Sequence, residues 1–263
     1  MEELLVSLEL SYLAGNEFMK NAAQCNGVDY KVEKYMYDRT VAAQGYVFSK
    51  DNTMYVAFSG TYTKPEVLAE VPFNLVKPDF LTGVLDVCVH ETFHAQFIAL
   101  KDQLANTLQV HKFSHIVFCG HSQGGAIATL AAVWFDSINK EAEMTMKLHT
   151  FGCPRIGNQI FNNYFKTLNY PLEHWRVVTL GDPVPNEPPY PTFCHVSHGC
   201  KMLTLDLETH STSALADNGE SEWTITFYAK WVYHSVWTYR PRLDAAILRY
   251  KASITIPPEE NRA

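Results

Sequence analysis

Gly120-His121-Ser122-Gln123-Gly124 sets a serine between two glycines at the G-x-S-x-G spacing. A serine hydroxyl is a poor nucleophile until a histidine takes its proton and a carboxylate fixes that histidine's tautomer. A serine presented on a sharp turn from a strand into a helix has a strained backbone. Side chains two positions away would clash there, so glycines at both sites meet a steric demand. The flanks fit that context: S-H-I-V-F-C at 114–119 is an apolar strand pattern, and an alanine-rich helical pattern runs over 123–137. The start of that helix offers N–H groups and a positive dipole end to a developing oxyanion. Without chemistry the motif would be a Gly-Ser turn capping a helix; strand and helix on either side favour a nucleophile.

A carboxylate and a histidine must come from elsewhere in the chain, in the order serine, acid, histidine. Asp182 follows the strand pattern W-R-V-V-T-L-G and precedes Pro183, which puts it just beyond a carboxyl end of a sheet. A turn-capping aspartate is the alternative in a G-D-P sequence. Downstream histidines are His195, His198, His210 and His234, and spacing alone leaves the choice open with a small preference for His234. A second motif competes. His90-Glu91-Thr92-Phe93-His94 is a literal H-E-x-x-H, which on a helix turns two histidines towards one zinc ion with the glutamate as base. His90 falls at a strand-to-helix entry, however, and no third-ligand pattern follows, so the zinc reading is set aside.

The elements that must hold these groups alternate. A helix is expected over 4–24, a buried strand at 53–58, a helix over 91–108, strands at 114–119 and 145–151, a helix near 157–168 and a strand near 174–180. Such alternation predicts an α/β chain with a mostly parallel central sheet and helices on both faces. Its chemistry would gather at the carboxyl ends of the strands. No repeat or linker divides the 263 residues, and the run D-P-V-P-N-E-P-P-Y-P at 182–191 reads as a rigid loop. Hydrophobic residues at 47% and charged residues at 19% are those of a packed globular chain. A net charge of -7 argues against nucleic acid as partner. No apolar run approaches the roughly 18 residues of a transmembrane segment. The acidic start Met1-Glu2-Glu3 lacks the basic end of a signal peptide. The expected location is therefore cytoplasmic, or secreted with a leader removed. Six cysteines lack zinc-ribbon spacing, and Cys194 and Cys200 flank a short loop that an oxidising compartment could bridge.

Taken together these segments resemble the class 3 lipases, the family of fungal triacylglycerol lipases and their relatives, over roughly residues 40–240. F-S-G-T at 58–61 resembles the family's oxyanion segment and V-H-E-T-F at 89–93 its V-H-x-G-F stretch. G-H-S-Q-G-G-A at 120–126 resembles its nucleophile turn, and F-G-C-P-R-I-G-N at 151–158 its F-G-x-P-R-x-G loop. R-V-V-T-L-G-D-P-V-P at 176–185 resembles the acid segment, and Y-H-S-V-W at 233–237 the segment of the catalytic histidine. The resemblance implies a single α/β-hydrolase domain over 1–263, with Ser122 as nucleophile, Asp182 as acid and His234 as base. Thr61 and the backbone N–H of Gln123 would form the oxyanion hole, with no cofactor and no metal. His195 would fall on a structural strand. Ser59 stands where the family has arginine, and H-V-S-H-G-C lacks the family's glutamate and tryptophan.

The implied activity is hydrolysis of carboxylic esters in acylglycerol-type lipids through an acyl-enzyme. A phospholipase or phenolic-ester esterase on the same fold is the alternative, and a lipid-binding protein without catalysis is the more distant one. The partner is a lipid ester substrate. Val67, Leu68, Val71, Leu75 and Val76 alternate with charges, and the resemblance makes residues 62–80 a lid that meets a lipid surface. Trp223, Phe227, Tyr228, Trp231, Tyr233, Trp237 and Tyr239 would line an acyl pocket or fill a core.

Overall fold

The computed structural model describes residues 2–16, 19, 21–60, 72–139, 144–170, 172–197, 200–205, 212–216 and 234–255. Thr61, His198, His210, residues 62–71 of the expected lid and the aromatic stretch 217–233 lie outside the described residues.

Among the described residues, nine strands form one sheet. In chain order they are β1 (Ala22–Cys25), β2 (Val28–Asp38), β3 (Ala43–Lys50), β4 (Thr53–Phe58), β7 (His115–His121), β8 (Thr145–Phe151), β9 (Leu172–Thr179), β10 (Cys200–Leu205) and β11 (Thr212–Ala216). Two further strands, β5 (Leu75–Val76) and β6 (Val89–His90), pair with each other outside it. The five central neighbours β4, β7, β8, β9 and β10 run parallel. β4 and β7 are largely apolar runs, as strands covered on both faces are, whereas β8 and β9 also bury His149, His174 and Arg176. The antiparallel part sits at the flanks. β1, β2, β3 and β4 follow one another as antiparallel neighbours on one side, and β11 closes the other.

Helices cover both faces. α2 (Glu91–Gln109), α3 (Gln123–Ile138) and α4 (Gln159–Phe165) share one hydrophobic cluster, including Phe93, Phe97, Ala128, Leu130, Phe161 and Phe165, with Val56, Phe118 and Leu148 of the sheet. α1 (Glu2–Leu13) and α5 (Val236–Thr255) lie on the other face. There Leu4, Leu8, Leu243 and Ile247 pack on Phe151, Val177 and Leu203, and Leu10 packs with Tyr46, Phe48 and Val117. α3 is buried from Gln123 to Asp136, and its glycines and alanines let it lie close against the sheet.

Where the expected elements and the fold differ, local chemistry explains it. The helix expected over 4–24 ends at Leu13. The Ala14 N–H bonds the Leu10 carbonyl, and the turn at Gly15 and Asn16 then leads the chain towards β1. Glycine and asparagine are the usual helix stops. The long hairpin of β2 and β3 was not anticipated, because its burial alternates irregularly around a bulge between Val32 and Lys34.

Phe97 is fully buried, with its ring 5.9 Å from Trp134 and 5.3 Å from Phe80. Phe97→Ala is expected to lower unfolding stability by about 3–5 kcal/mol through the cavity it leaves. Urea titration followed by tryptophan fluorescence measures this, and a loss below about 1 kcal/mol would contradict the packing.

Candidate active site

Because β4, β7, β8 and β9 are parallel, Ser59, Ser122, Gly152 and the Leu180–Asp182 turn all emerge at one end of the sheet. Ser122 joins β7 to α3 with φ 56° and ψ -132°. That region suits glycine and costs a residue with a side chain on the order of 1–3 kcal/mol. Its surroundings hold it there: the Ser122 N–H donates to the Phe151 carbonyl at 2.8 Å, and its carbonyl accepts from Gly125 at 2.9 Å. The flanking glycines are sterically required. A Cβ on Gly120 would lie 2.1 Å from the Gly124 backbone, and one on Gly124 would lie 2.3 Å from the Phe58 carbonyl oxygen. Gln123 opens α3, at the helix end that carries positive dipole charge.

Asp182 follows β9 and is 4% exposed. Three donors meet its carboxylate. The Val184 N–H donates to Oδ1 at 2.9 Å, the Tyr239 hydroxyl to Oδ2 at 2.5 Å, and His234 Nδ1 approaches Oδ2 at 2.8 Å and Oδ1 at 3.0 Å. Two of these come from the start of the C-terminal helix, so α5 is docked onto the carboxylate as well as onto the core. Burial, then the Asp182 charge, raise the Tyr239 hydroxyl well above its ordinary range, so it stays a proton donor. A carboxylate at Nδ1 fixes the His234 tautomer with its proton on that nitrogen. The other ring nitrogen, Nε2, is buried and has no hydrogen-bond partner among the described residues. The His234 ring lies 4.6 Å from that of His121, the residue before Ser122. Ser122, Asp182 and His234 are thus gathered at one place from three distant parts of the chain.

The other histidines have different partners. His195 is buried with Nε2 on the Pro185 carbonyl at 2.7 Å. His90 ends β6 and caps α2, where its Nδ1 accepts from the Thr92 N–H at 3.2 Å. Its ring stacks on Phe93 at 4.3 Å, and burial lowers its pKa to about 4 against a small opposing effect of Glu91. His94 stacks instead on Phe80, and Glu91 binds Asn74. The H-E-x-x-H residues therefore each serve local packing and capping. None of the six cysteines forms a disulfide among the described residues, and Cys194 Sγ contacts the Gln159 amide oxygen.

Two functional residues escaped the sequence reading. Tyr239 was one of several aromatics credited with a pocket or core, and only the fold sets its hydroxyl on Asp182. Gly152, read as part of a loop motif, has φ 57° and lies against Asp182 and His234 together. A Cβ there would come within 2.7 Å of the Tyr239 oxygen, 2.9 Å of Asp182 Oδ2 and 3.1 Å of His234 Cε1. Its signal in the sequence was a glycine ending an apolar strand. Arg155, from the same motif, reaches the Asn186 and Pro188 carbonyls and so anchors the proline-rich loop after Asp182.

A family model described as Lipase (class 3) matches residues 55–191, more than half of the chain. A lipase of Rhizopus oryzae is 30% identical over 158 residues, covering 55% of this chain and 38% of that protein. A secreted mono- and diacylglycerol lipase of Penicillium cyclopium is 26% identical over 185 residues, 67% of this chain and 57% of that protein. The chain spans less than two thirds of these curated relatives. The solved triacylglyceride lipase of Rhizomucor miehei matches with a TM-score of 0.74 at 21% identity, over 89% of this chain and 92% of its own. That likeness shows the α/β-hydrolase fold.

Gly152→Ala is expected to displace the Asp182–His234 pair and to slow reaction with a fluorophosphonate probe by about 100-fold or more, as small misplacements of reacting groups do. A variant that is folded by circular dichroism and labels at the wild-type rate would contradict the close approach.

Proposed function

Since the chain belongs to the class 3 lipase family, we propose that it is a serine hydrolase that cleaves carboxylic esters of acylglycerol-type lipids. The observation that carries this reading is the buried Asp182–His234 pair at the same sheet end as the strained Ser122. Ser122 Oγ attacks the ester carbonyl while His234 Nε2 takes its proton, and Asp182 steadies the imidazolium through Nδ1. The backbone N–H of Gln123, with Thr61, stabilises the oxyanion at the positive end of α3. His234 then gives its proton to the departing alcohol. Water, deprotonated by the same nitrogen, cleaves the acyl-enzyme and frees the acid. No cofactor enters these steps.

The likeness to acylglycerol lipases supports a lipid substrate, as does an exposed apolar side chain just before the β5–β6 pair. Phe73 is 38% exposed, with its ring 6.2 Å from His90 and 6.3 Å from Phe193. The second half of the 62–80 lid segment is tied down by the pairing of Leu75–Val76 with Val89–His90. In this proposal that short pairing is one end of a lid at 62–80 that meets a lipid surface.

Ser122→Ala is expected to cut turnover of an acylglycerol ester by about a million-fold, and Asp182→Asn by about ten-thousand-fold through the wrong His234 tautomer. Esterase assays and fluorophosphonate labelling read both, and full activity in Ser122→Ala would sink the assignment. For the lid, the rate on a short-chain triacylglycerol is expected to climb steeply once the substrate exceeds its solubility. A hyperbolic curve through that point would exclude lid opening at the surface.

A further inference from the structure

His121 is spelled by the variable position of the G-x-S-x-G motif, and the proposed mechanism does not use it. It is buried, and its Nε2 lies 2.6 Å from the main-chain carbonyl oxygen of His234, across 113 residues of sequence. A carbonyl only accepts, so this nitrogen carries the proton. The two imidazoles lie against each other with centroids 4.6 Å apart at 32°. The Tyr239 ring meets the same histidine edge-on at 5.6 Å. On its other side lies the segment after β4, where a Cβ on Gly60 would come within 3.4 Å of His121 Nδ1.

From this arrangement we infer that His121 is a positioning residue, a clamp that fixes the main chain of the base to the nucleophile turn. The inference rests on the triad reading above. Its physical content is the shortness of the path. Asp182 holds the edge of the His234 ring from β9, whereas His121 holds the His234 backbone and is covalently next to Ser122. One hydrogen bond and one peptide unit therefore set the separation of the two reacting residues. The close, tilted contact of the rings adds a second constraint, because it limits rotation of the His234 ring as the proton passes through it. The ring contact needs a neutral His121, whereas the hydrogen bond to the His234 carbonyl is donated by either charge state. A second proton would set a cation against the imidazolium of the working base, and burial opposes that proton, as does the His234 ring.

Three substitutions separate the donor from the ring. Gln places an amide N–H near the position of Nε2, Asn places one nearer that of Nδ1, and Phe keeps the ring contact without a donor. His121→Phe and His121→Asn are expected to lose about 100-fold in kcat on a soluble ester, the scale of a misplaced base, with KM within about twofold of wild type. His121→Gln is expected to recover most of that loss. Thermal unfolding of each variant shows which remain folded. The bond itself is read without catalysis, in folded Ser122→Ala protein, as a slowly exchanging imidazole proton in the NMR spectrum that is absent from the Ser122→Ala, His121→Phe double variant.

Wild-type kcat in folded His121→Phe, equal losses in the Gln and Asn variants, or no such proton in Ser122→Ala would each overturn the clamp. If wild-type protein neither hydrolyses esters nor reacts with a fluorophosphonate, the triad reading fails and the positioning role fails with it. In that case the imidazole proton still reports whether the hydrogen bond exists.

Discussion

A carboxylate held almost out of water needs a donor for nearly every lone pair, and Asp182 is such a group. The three that meet it fix much of the architecture around it. The Val184 N–H bends the chain into the short turn after β9. Tyr239 and His234 bring the first turns of α5 against the end of the sheet. The Tyr239 oxygen also accepts from the Thr179 N–H, so the terminus of β9 is closed by the residue that closes the acid. Removing one donor from such a group leaves a buried charge short of partners, which costs more than the bond itself would contribute. Stability and chemistry at this end of the molecule therefore rest on the same atoms.

The second constraint is distance between backbones. Gly120, Gly124 and Gly152 each sit where a Cβ would meet main-chain or site atoms at 2.9 Å or less. Neighbouring strands and the helix after β7 approach more closely there than side chains permit. That closeness sets the Ser122 turn under the end of β4 and the Asp182–His234 pair beside β8. A parallel sheet makes it possible, since all the central strands end on one side and their outgoing loops share one surface. The small residues of α3 continue the principle behind the site, where a helix buried on every side must be slim to fit between sheet and α2.

The histidines show how little a residue type settles by itself. His234 lies on a carboxylate, His121 on a carbonyl and the His234 ring, and His90 at a helix cap among aromatics. His195 lies on a proline carbonyl, and His149 is buried against Ser7, where burial takes its pKa down to about 3. Each has the proton and partner its surroundings impose, and the H-E-x-x-H spelling had no influence on where its two histidines went.

The sequence by itself determined the central alternation of strands and helices, the strand at 53–58, and the strand-serine-helix unit around Ser122. These are local facts: apolar period, glycine spacing and a helix pattern lie within about 30 neighbouring residues, the span of one β-α-β unit. It also placed Asp182 at a strand end, because a G-D-P after an apolar run is legible without a partner. Only the tertiary structure decided which histidine meets that carboxylate. Spacing gives His234 only a small preference among four downstream candidates, and a hydrogen bond across 52 residues depends on where α5 docks. The same holds for Tyr239, for Gly152 and for the antiparallel strands at the sheet's edge, whose roles are set by groups far away in sequence. Periodicity records which face of an element is buried; it carries no record of what that face is buried against.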